Sequence, residues 1–219
     1  MQEMISLFSI KGLVYKDILD INRLELPENK IICIVGESGG GKTTLLKMLN
    51  KLISPDKGEI LYNNISLKDM DSISLRREVV MLSQIPAIFG GTIKDNLLIG
   101  LKFSEKPMVS DKVLEEALSF IKLNKNLEDN SENLSGGEKQ RLALARVLIM
   151  NPKVFLLDEP SSALDEDTEK FIIEKLVNHT RKNNKTLIMV THSKNISENY
   201  YDCLIEIKEG KIMTIKEVK

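Results

Sequence analysis

Ile31-Ile32-Cys33-Ile34-Val35-Gly36-Glu37-Ser38-Gly39-Gly40-Gly41-Lys42-Thr43-Thr44 decides how this chain folds. Its first five residues are apolar and mostly β-branched, the pattern of a buried strand. Glycines follow at once. Leu45, Leu46, Leu49 and Leu52 then recur on one helical face over Thr44 to Leu52. Gly36 to Thr43 fits G-x-x-x-x-G-K-[ST], placed after a strand and before a helix as a phosphate-binding loop requires. A merely flexible glycine turn is the bland alternative, and that context weighs against it. The glycines permit positive φ and let successive N–H groups surround an anion. The start of the following helix adds partial positive charge. Lys42 brings a full charge to the β- and γ-phosphates, and the Thr43 hydroxyl can ligate Mg²⁺. Gly36, Glu37, Ser38, Gly39, Gly40, Gly41, Lys42, Thr43 and Thr44 are thus expected to hold a nucleoside triphosphate.

Outward from this loop, Ser54-Pro55-Asp56-Lys57-Gly58 reads as a turn. Glu59 to Tyr62 and Ile65 to Leu67 form a hairpin across Asn63-Asn64. Glu78 to Ser83 is a strand candidate. From Thr92 to Leu123 the texture is helical, with Val113, Leu114, Ala117, Leu118 and Ile121 on one stripe. A helix opens at Ser135-Gly136-Gly137 and runs to about Met150, where Asn151-Pro152 stops it. Strand Val154 to Leu157, helix Thr168 to Lys182 and strand Thr186 to Val190 follow. The tail from Leu204 to Val218 reads as short strands around Glu209-Gly210. Strands alternating with helices predict an α/β core with a mainly parallel sheet. The early and late hairpin-like pieces predict an added antiparallel sheet, and residues 85–150 an inserted helical lobe, all within one domain spanning 1–219.

Composition bounds the function. Thirty-one basic side chains oppose 32 acidic ones, so no positive excess is available for wrapping nucleic acid. No apolar run approaches the roughly 20 residues of a membrane span. Met1 to Ile10 carries Glu3 and no basic cluster, unlike a signal peptide. Cys33 and Cys203 sit far apart in apolar segments and read as reduced core thiols, so a soluble intracellular protein is expected.

Val154-Phe155-Leu156-Leu157-Asp158-Glu159 is an apolar strand ending in two acids. Such carboxylates are costly to desolvate unless something positive is near. Alone, the pair reads as a helix cap. After a phosphate loop it reads as Asp158 in a Mg²⁺ shell and Glu159 placed to polarise a water. Leu134-Ser135-Gly136-Gly137-Glu138-Lys139-Gln140 is a second glycine-opened helix start, hence a second anion site. Here the chain resembles the ATP-binding cassette (ABC) ATPases, whose signature motif it carries at Leu134 to Gln140. The likeness also takes in Tyr15, the phosphate loop, Gln84, Asp158-Glu159, Ser162-Ala163-Leu164-Asp165 and His192, all in family order.

The resemblance implies a P-loop NTPase core that binds ATP and Mg²⁺. It implies that Tyr15 stacks on adenine, Gln84 reaches the Mg²⁺ and the attacking water, Glu159 is the catalytic base and His192 holds the γ-phosphate. Thr43, Gln84 and Asp158 would form the metal shell. Lys42, Gln84, Glu159 and His192 would be the catalytic set. His192 also follows the strand Thr186 to Val190, at the strand end where α/β sheets bind ligands. His179 reads as structural. Two copies would pair head to tail, with Ser135, Gly136 and Gly137 of one closing over the γ-phosphate held by Lys42 of the other and Asp165 lying across the interface.

Ile88-Phe89-Gly90-Gly91-Thr92-Ile93-Lys94-Asp95-Asn96-Leu97 is similar to the stretch after the glutamine in exporter-type cassettes. It makes Phe89 and Ile93 candidate contacts for a membrane permease, with packing as the other reading. The compact size and Thr191-His192-Ser193-Lys194 also resemble the small bacterial YbbL/FetA-type cassettes, linked with metal or iron export. The expectation is an ATPase subunit on the cytoplasmic face of the membrane, held there by a separate permease. The alternative is a soluble cassette acting on nucleic acid or the ribosome. DNA-repair relatives insert a long coiled coil between phosphate loop and signature, and the span from Thr43 to Ser135 has no room for one. A P-loop kinase would leave Leu134 to Gln140 without a task.

Overall fold

The computed structural model describes residues 6–218. Met1 to Ile5, part of the stretch read as unlike a signal peptide, lie outside them. Chain order is β1 (Ser6–Tyr15), β2 (Leu19–Pro27), β3 (Ile31–Val35), α1 (Lys42–Leu49), β4 (Lys57–Tyr62), β5 (Ile65–Ser66), α2 (Ser72–Glu78), β6 (Val79–Leu82), α3 (Ile93–Phe103), α4 (Asp111–Phe120), α5 (Gly136–Met150), β7 (Val154–Asp158), α6 (Glu166–Lys182), β8 (Thr186–Val190), α7 (Lys194–Asn199), β9 (Cys203–Lys208) and β10 (Lys211–Glu217).

Two sheets result. The larger has strand order β10-β9-β3-β8-β7-β6, parallel except for the antiparallel edge strand β10. The smaller, β2-β1-β4-β5, is antiparallel throughout. The β4–β5 turn is made by Asn63 and Asn64 at φ 50° and 63°, the left-handed pair of a tight hairpin. The fold is α/β with an antiparallel β subdomain and a helical region, as expected. The tail differs. The late hairpin joins the core sheet, because β9 lies parallel to β3 with Cys203, Ile205 and Ile207 buried.

Strand alternation divides the interior into two cores. Ile32, Ile34, Val154, Leu156, Ile188 and Val190 face one side, packing on the antiparallel sheet and α1. Ile31, Cys33, Phe155, Leu157, Leu187 and Met189 face the other, packing on α3 to α6. Cys33 and Cys203 fall in different cores and are free thiols. Burial pushes Cys33 up to about 12. Among the described residues no helix is long and apolar enough to cross a membrane.

Several elements depart from the pattern. α1 stops at Leu49, so Leu52 lies beyond it and is exposed, because Lys51 turns to φ 53°. The helical stretch after Thr92 is two helices, broken where Ser104 Oγ donates to the Gly100 carbonyl and Glu105 turns to φ 53°. Val113, placed on the apolar stripe, is 40% exposed, whereas Leu114, Leu118 and Ile121 are buried.

Candidate functional site

The loop between β3 and α1 is shaped by close approaches that only glycine allows. Gly36 has φ 140°, and a Cβ there would lie 1.9 Å from the Ile207 carbonyl oxygen of β9. Gly41 has φ 95°, and a Cβ would stand 2.5 Å from Leu19 Cδ2. The buried Lys42 ammonium donates to the carbonyls of Gly36 at 2.8 Å and Glu37 at 2.7 Å. Burial pulls its pKa down while Glu159 and Asp158 push it up.

β7 ends beside this loop. Thr43 Oγ1 donates to Asp158 Oδ1 at 3.1 Å. Asp158 is 2% exposed, and burial raises its pKa against the opposing hydroxyl of Thr43. Glu159, one residue on, turns to φ 48°, a conformation that costs a non-glycine residue about 1–3 kcal/mol. The ladder and two side chains hold it there. Its N–H donates to the Val190 carbonyl at 3.0 Å, and its own carbonyl accepts from Gln140 Nε2 at 2.8 Å and Ser162 Oγ at 3.2 Å. The turn throws its carboxylate into the cleft, where Gln84 Nε2 donates to Oε2 at 2.8 Å and His192 Nε2 lies 3.2 Å from Oε1.

A cleft of about 340 Å³ is lined by Ile18, Ser38 to Thr44, Gln84, Glu159 and His192. Most of the expected site residues thus converge. Gly36 and Glu37 shape the loop from behind. Tyr15 is half-buried at the end of β1, packed against the core, and Ile18 lines the cleft instead.

The second glycine-opened helix lies outside that lining. Ser135 caps α5 in a reciprocal arrangement: its Oγ accepts from the Glu138 N–H at 3.3 Å, and its own N–H donates to Glu138 Oε2 at 2.8 Å. A Cβ on Gly137 would lie 2.8 Å from the Ala163 carbonyl, whereas one on Gly136 would meet nothing in this chain. Asp165 caps α6, accepting from the Thr168 N–H at 2.9 Å. That backbone hydrogen bond holds its carboxyl below the usual range. Gln140 was legible only as part of its motif. Its amide holds Glu159, and its Oε1 accepts from the Ala163 N–H at 3.1 Å.

A phosphate loop on a parallel sheet, with an acid at the end of a neighbouring strand and a second acid facing a glutamine and a histidine, defines a P-loop nucleotide hydrolase. Residues 19–162 match the ABC transporter family. The chain is 36% identical over 193 residues to the rice (Oryza sativa subsp. japonica) protein STAR1, covering 88% of this chain and 56% of that protein. It is 34% identical over 201 residues to an uncharacterized ABC transporter ATP-binding protein of Methanocaldococcus jannaschii, covering 90% and 79%. A solved ATP-binding cassette in a dimeric post-hydrolysis state, bound to ADP and Pi, superposes with a TM-score of 0.85 at 27% identity, covering 97% of this chain and 99% of that one. The chain belongs to the ABC transporter family and is an ATP-binding, ATP-hydrolysing domain of it.

Proposed function

We propose that the chain is the ATPase subunit of a membrane transporter, working as an ATP-closed head-to-tail pair of copies on the cytoplasmic side of a separate permease. One observation carries the pairing. The cleft that holds the phosphates is lined by no residue of the Ser135 to Gly137 segment, and Gly136 faces open space. A missing side chain that nothing in its own chain requires fits close approach by another molecule. A second copy's triphosphate, met by the N-terminus of α5, satisfies that geometry.

In this reading water attacks the γ-phosphate in line. Glu159 orients and polarises the water, since each carboxylate oxygen, though engaged by Gln84 or His192, keeps a further lone pair. Lys42 and His192 contact the γ-phosphate. Thr43, Asp158 and Gln84 offer hydroxyl, carboxylate and amide oxygens, the hard donors Mg²⁺ prefers, and the Asp158 carboxylate is buried against a neutral hydroxyl. These residues would hold Mg²⁺, which supplies charge neutralisation at the phosphates.

The permease contact is assigned to the surface beyond Gln84. Ile85 is 87% exposed, and Phe89 meets Phe103, itself 68% exposed, edge to face at 6.1 Å. Ile93, the other candidate, is fully buried and packs inside the helical region. The Phe89 to Asn96 stretch favours an exporter-type permease. Cargo, metal or iron included, is selected by the permease rather than by any residue of this chain. Solved neighbours include cbiO1 from Clostridium perfringens, part of the transporter complex cbiONQ, at 25% identity and a TM-score of 0.81, covering 97% of this chain and 88% of that one.

The test is affinity capture of Glu159→Gln with ATP from detergent-solubilised membranes. A stoichiometric polytopic partner is the expected result. Recovery of ribosomal or nucleic-acid-bound proteins without a membrane partner would overturn the transporter reading.

A further inference from the structure

We propose that Glu169, on the first turn of α6, is a positioning residue for hydrolysis, tying the loop after Glu159 to the segment that carries His192. The inference rests on the hydrolytic arrangement above. Ser161 is 5% exposed, and its Oγ donates to Glu169 Oε1 at 2.5 Å. Ser193 Oγ donates to Oε2 of the same carboxylate at 2.9 Å. With His192 Nε2 3.2 Å from Glu159 Oε1, a closed ring results. It runs from Glu159 through Pro160 to Ser161, across Glu169 to Ser193, and back through His192.

The ring answers a geometric problem. His192 leaves the end of β8 on an irregular stretch, with 47% of its side chain exposed, where no ladder aims it. Its neighbour Ser193 is fixed from two directions, the N–H donating to Thr191 Oγ1 at 3.0 Å and the hydroxyl to Glu169. Glu169 accepts from both serines at once, so one side chain fixes both segments. The same carboxylate holds Ser161, next to Ser162, whose hydroxyl donates to the Glu159 carbonyl. Glu169 does not line the cleft and acts through these neighbours. A misplacement of about 1 Å at a reacting centre costs up to roughly a hundredfold in rate.

Glu169→Ala in the full chain is expected to lower kcat for ATP by at least about tenfold. KM, and the affinity for a fluorescent ATP analogue, should stay within about twofold, since uniform binding is untouched. Glu169→Gln keeps an acceptor oxygen and the shape of the side chain, and is expected to recover most of the rate. Ser193→Ala added to Glu169→Ala should cost little more than Glu169→Ala alone, the non-additivity of a shared contact. An unchanged kcat, a parallel loss of kcat and nucleotide affinity, or additive effects with Ser193→Ala would each overturn the proposal. Glu159→Gln, assayed alongside, reports on the arrangement itself. If it turns over like the wild type, that arrangement falls. If it is inactive while Glu169→Ala is not, only the role of Glu169 falls.

Discussion

Asp158 sits in the fold against its own ionisation. Its carboxylate is 2% exposed, and burial raises its pKa, with the Thr43 hydroxyl, Lys47 and Lys42 opposing. A carboxyl whose folded pKa lies above its unfolded value binds more protons folded than unfolded in that window. Stability therefore falls as pH rises through the window, and the whole penalty is present at neutral pH. Asp158→Asn is expected to raise the thermal midpoint at neutral pH, by about 2–4 °C for each kcal/mol relieved in a chain of this size, while abolishing hydrolysis. The gain should shrink as pH falls through the folded pKa, where the native carboxyl is itself neutral. Thermal melts of both proteins from neutral to acid pH check this. A gain that persists undiminished in acid would assign it to packing instead.

At the scale of elements, α5 is joined to the loop after Gln84 by Arg146. Its guanidinium donates from Nε to the Asn96 carbonyl at 2.7 Å, from Nη1 to the Ala87 carbonyl at 2.9 Å and from Nη2 to Asn96 Oδ1 at 2.8 Å, and it stacks over Phe89 at 5.1 Å. Burial pulls it down to about 10, still charged at neutral pH. Asn96 in turn donates to the Phe89 carbonyl at 2.8 Å and Ser131 Oγ at 3.0 Å. Arg146→Ala removes three hydrogen bonds and the ring contact at once, leaving Asn96 Oδ1 with only the Phe89 N–H at 3.0 Å, and is expected to destabilise the chain by about 3 kcal/mol. Hydrogen exchange at residues 85–92 should quicken most, and Arg146→Lys should recover little, because an ammonium lacks the planar fork. Denaturant unfolding and exchange measurements decide it; a loss spread evenly over the chain would deny the brace.

This brace also shows where sequence reading stops. The strands β3, β7 and β8 were legible as short unbroken apolar runs, and α5 from the glycines that open it and the Asn151-Pro152 that stops it. Arg146 was not, because its acceptors are two carbonyls and an amide distant in sequence, which no local pattern marks. β1 and β2 escaped notice as a pair for a related reason: Asn22 and Arg23, both exposed, interrupt the alternation of Leu19 and Ile21 with Leu24 and Leu26. Ile18 and Glu169 escaped likewise, since a place in a cleft or between two serines follows from tertiary approach alone.

At the scale of the whole molecule, the split between cleft and signature makes the proposed two-chain site testable. If Lys42 and Ser135 of one chain served the same nucleotide, chains lacking either would fail alone and would also fail mixed. In a head-to-tail pair each site takes its phosphate loop from one copy and its signature from the other. A mixed pair of Lys42→Ala and Ser135→Arg chains then gathers both defects into one site and leaves the other intact. Random pairing puts half of the chains in mixed pairs, each with one sound site of two. The mixture should therefore regain about a quarter of wild-type turnover if the two sites fire independently, and less if firing requires both. In the proposed pair Gly136, with open space around it, would lie at the shared face. An ATPase assay of the two inactive variants, alone and mixed, reads this directly. A mixture no more active than its components would refute independent shared sites. Activity of Ser135→Arg alone would place the whole reaction within one chain.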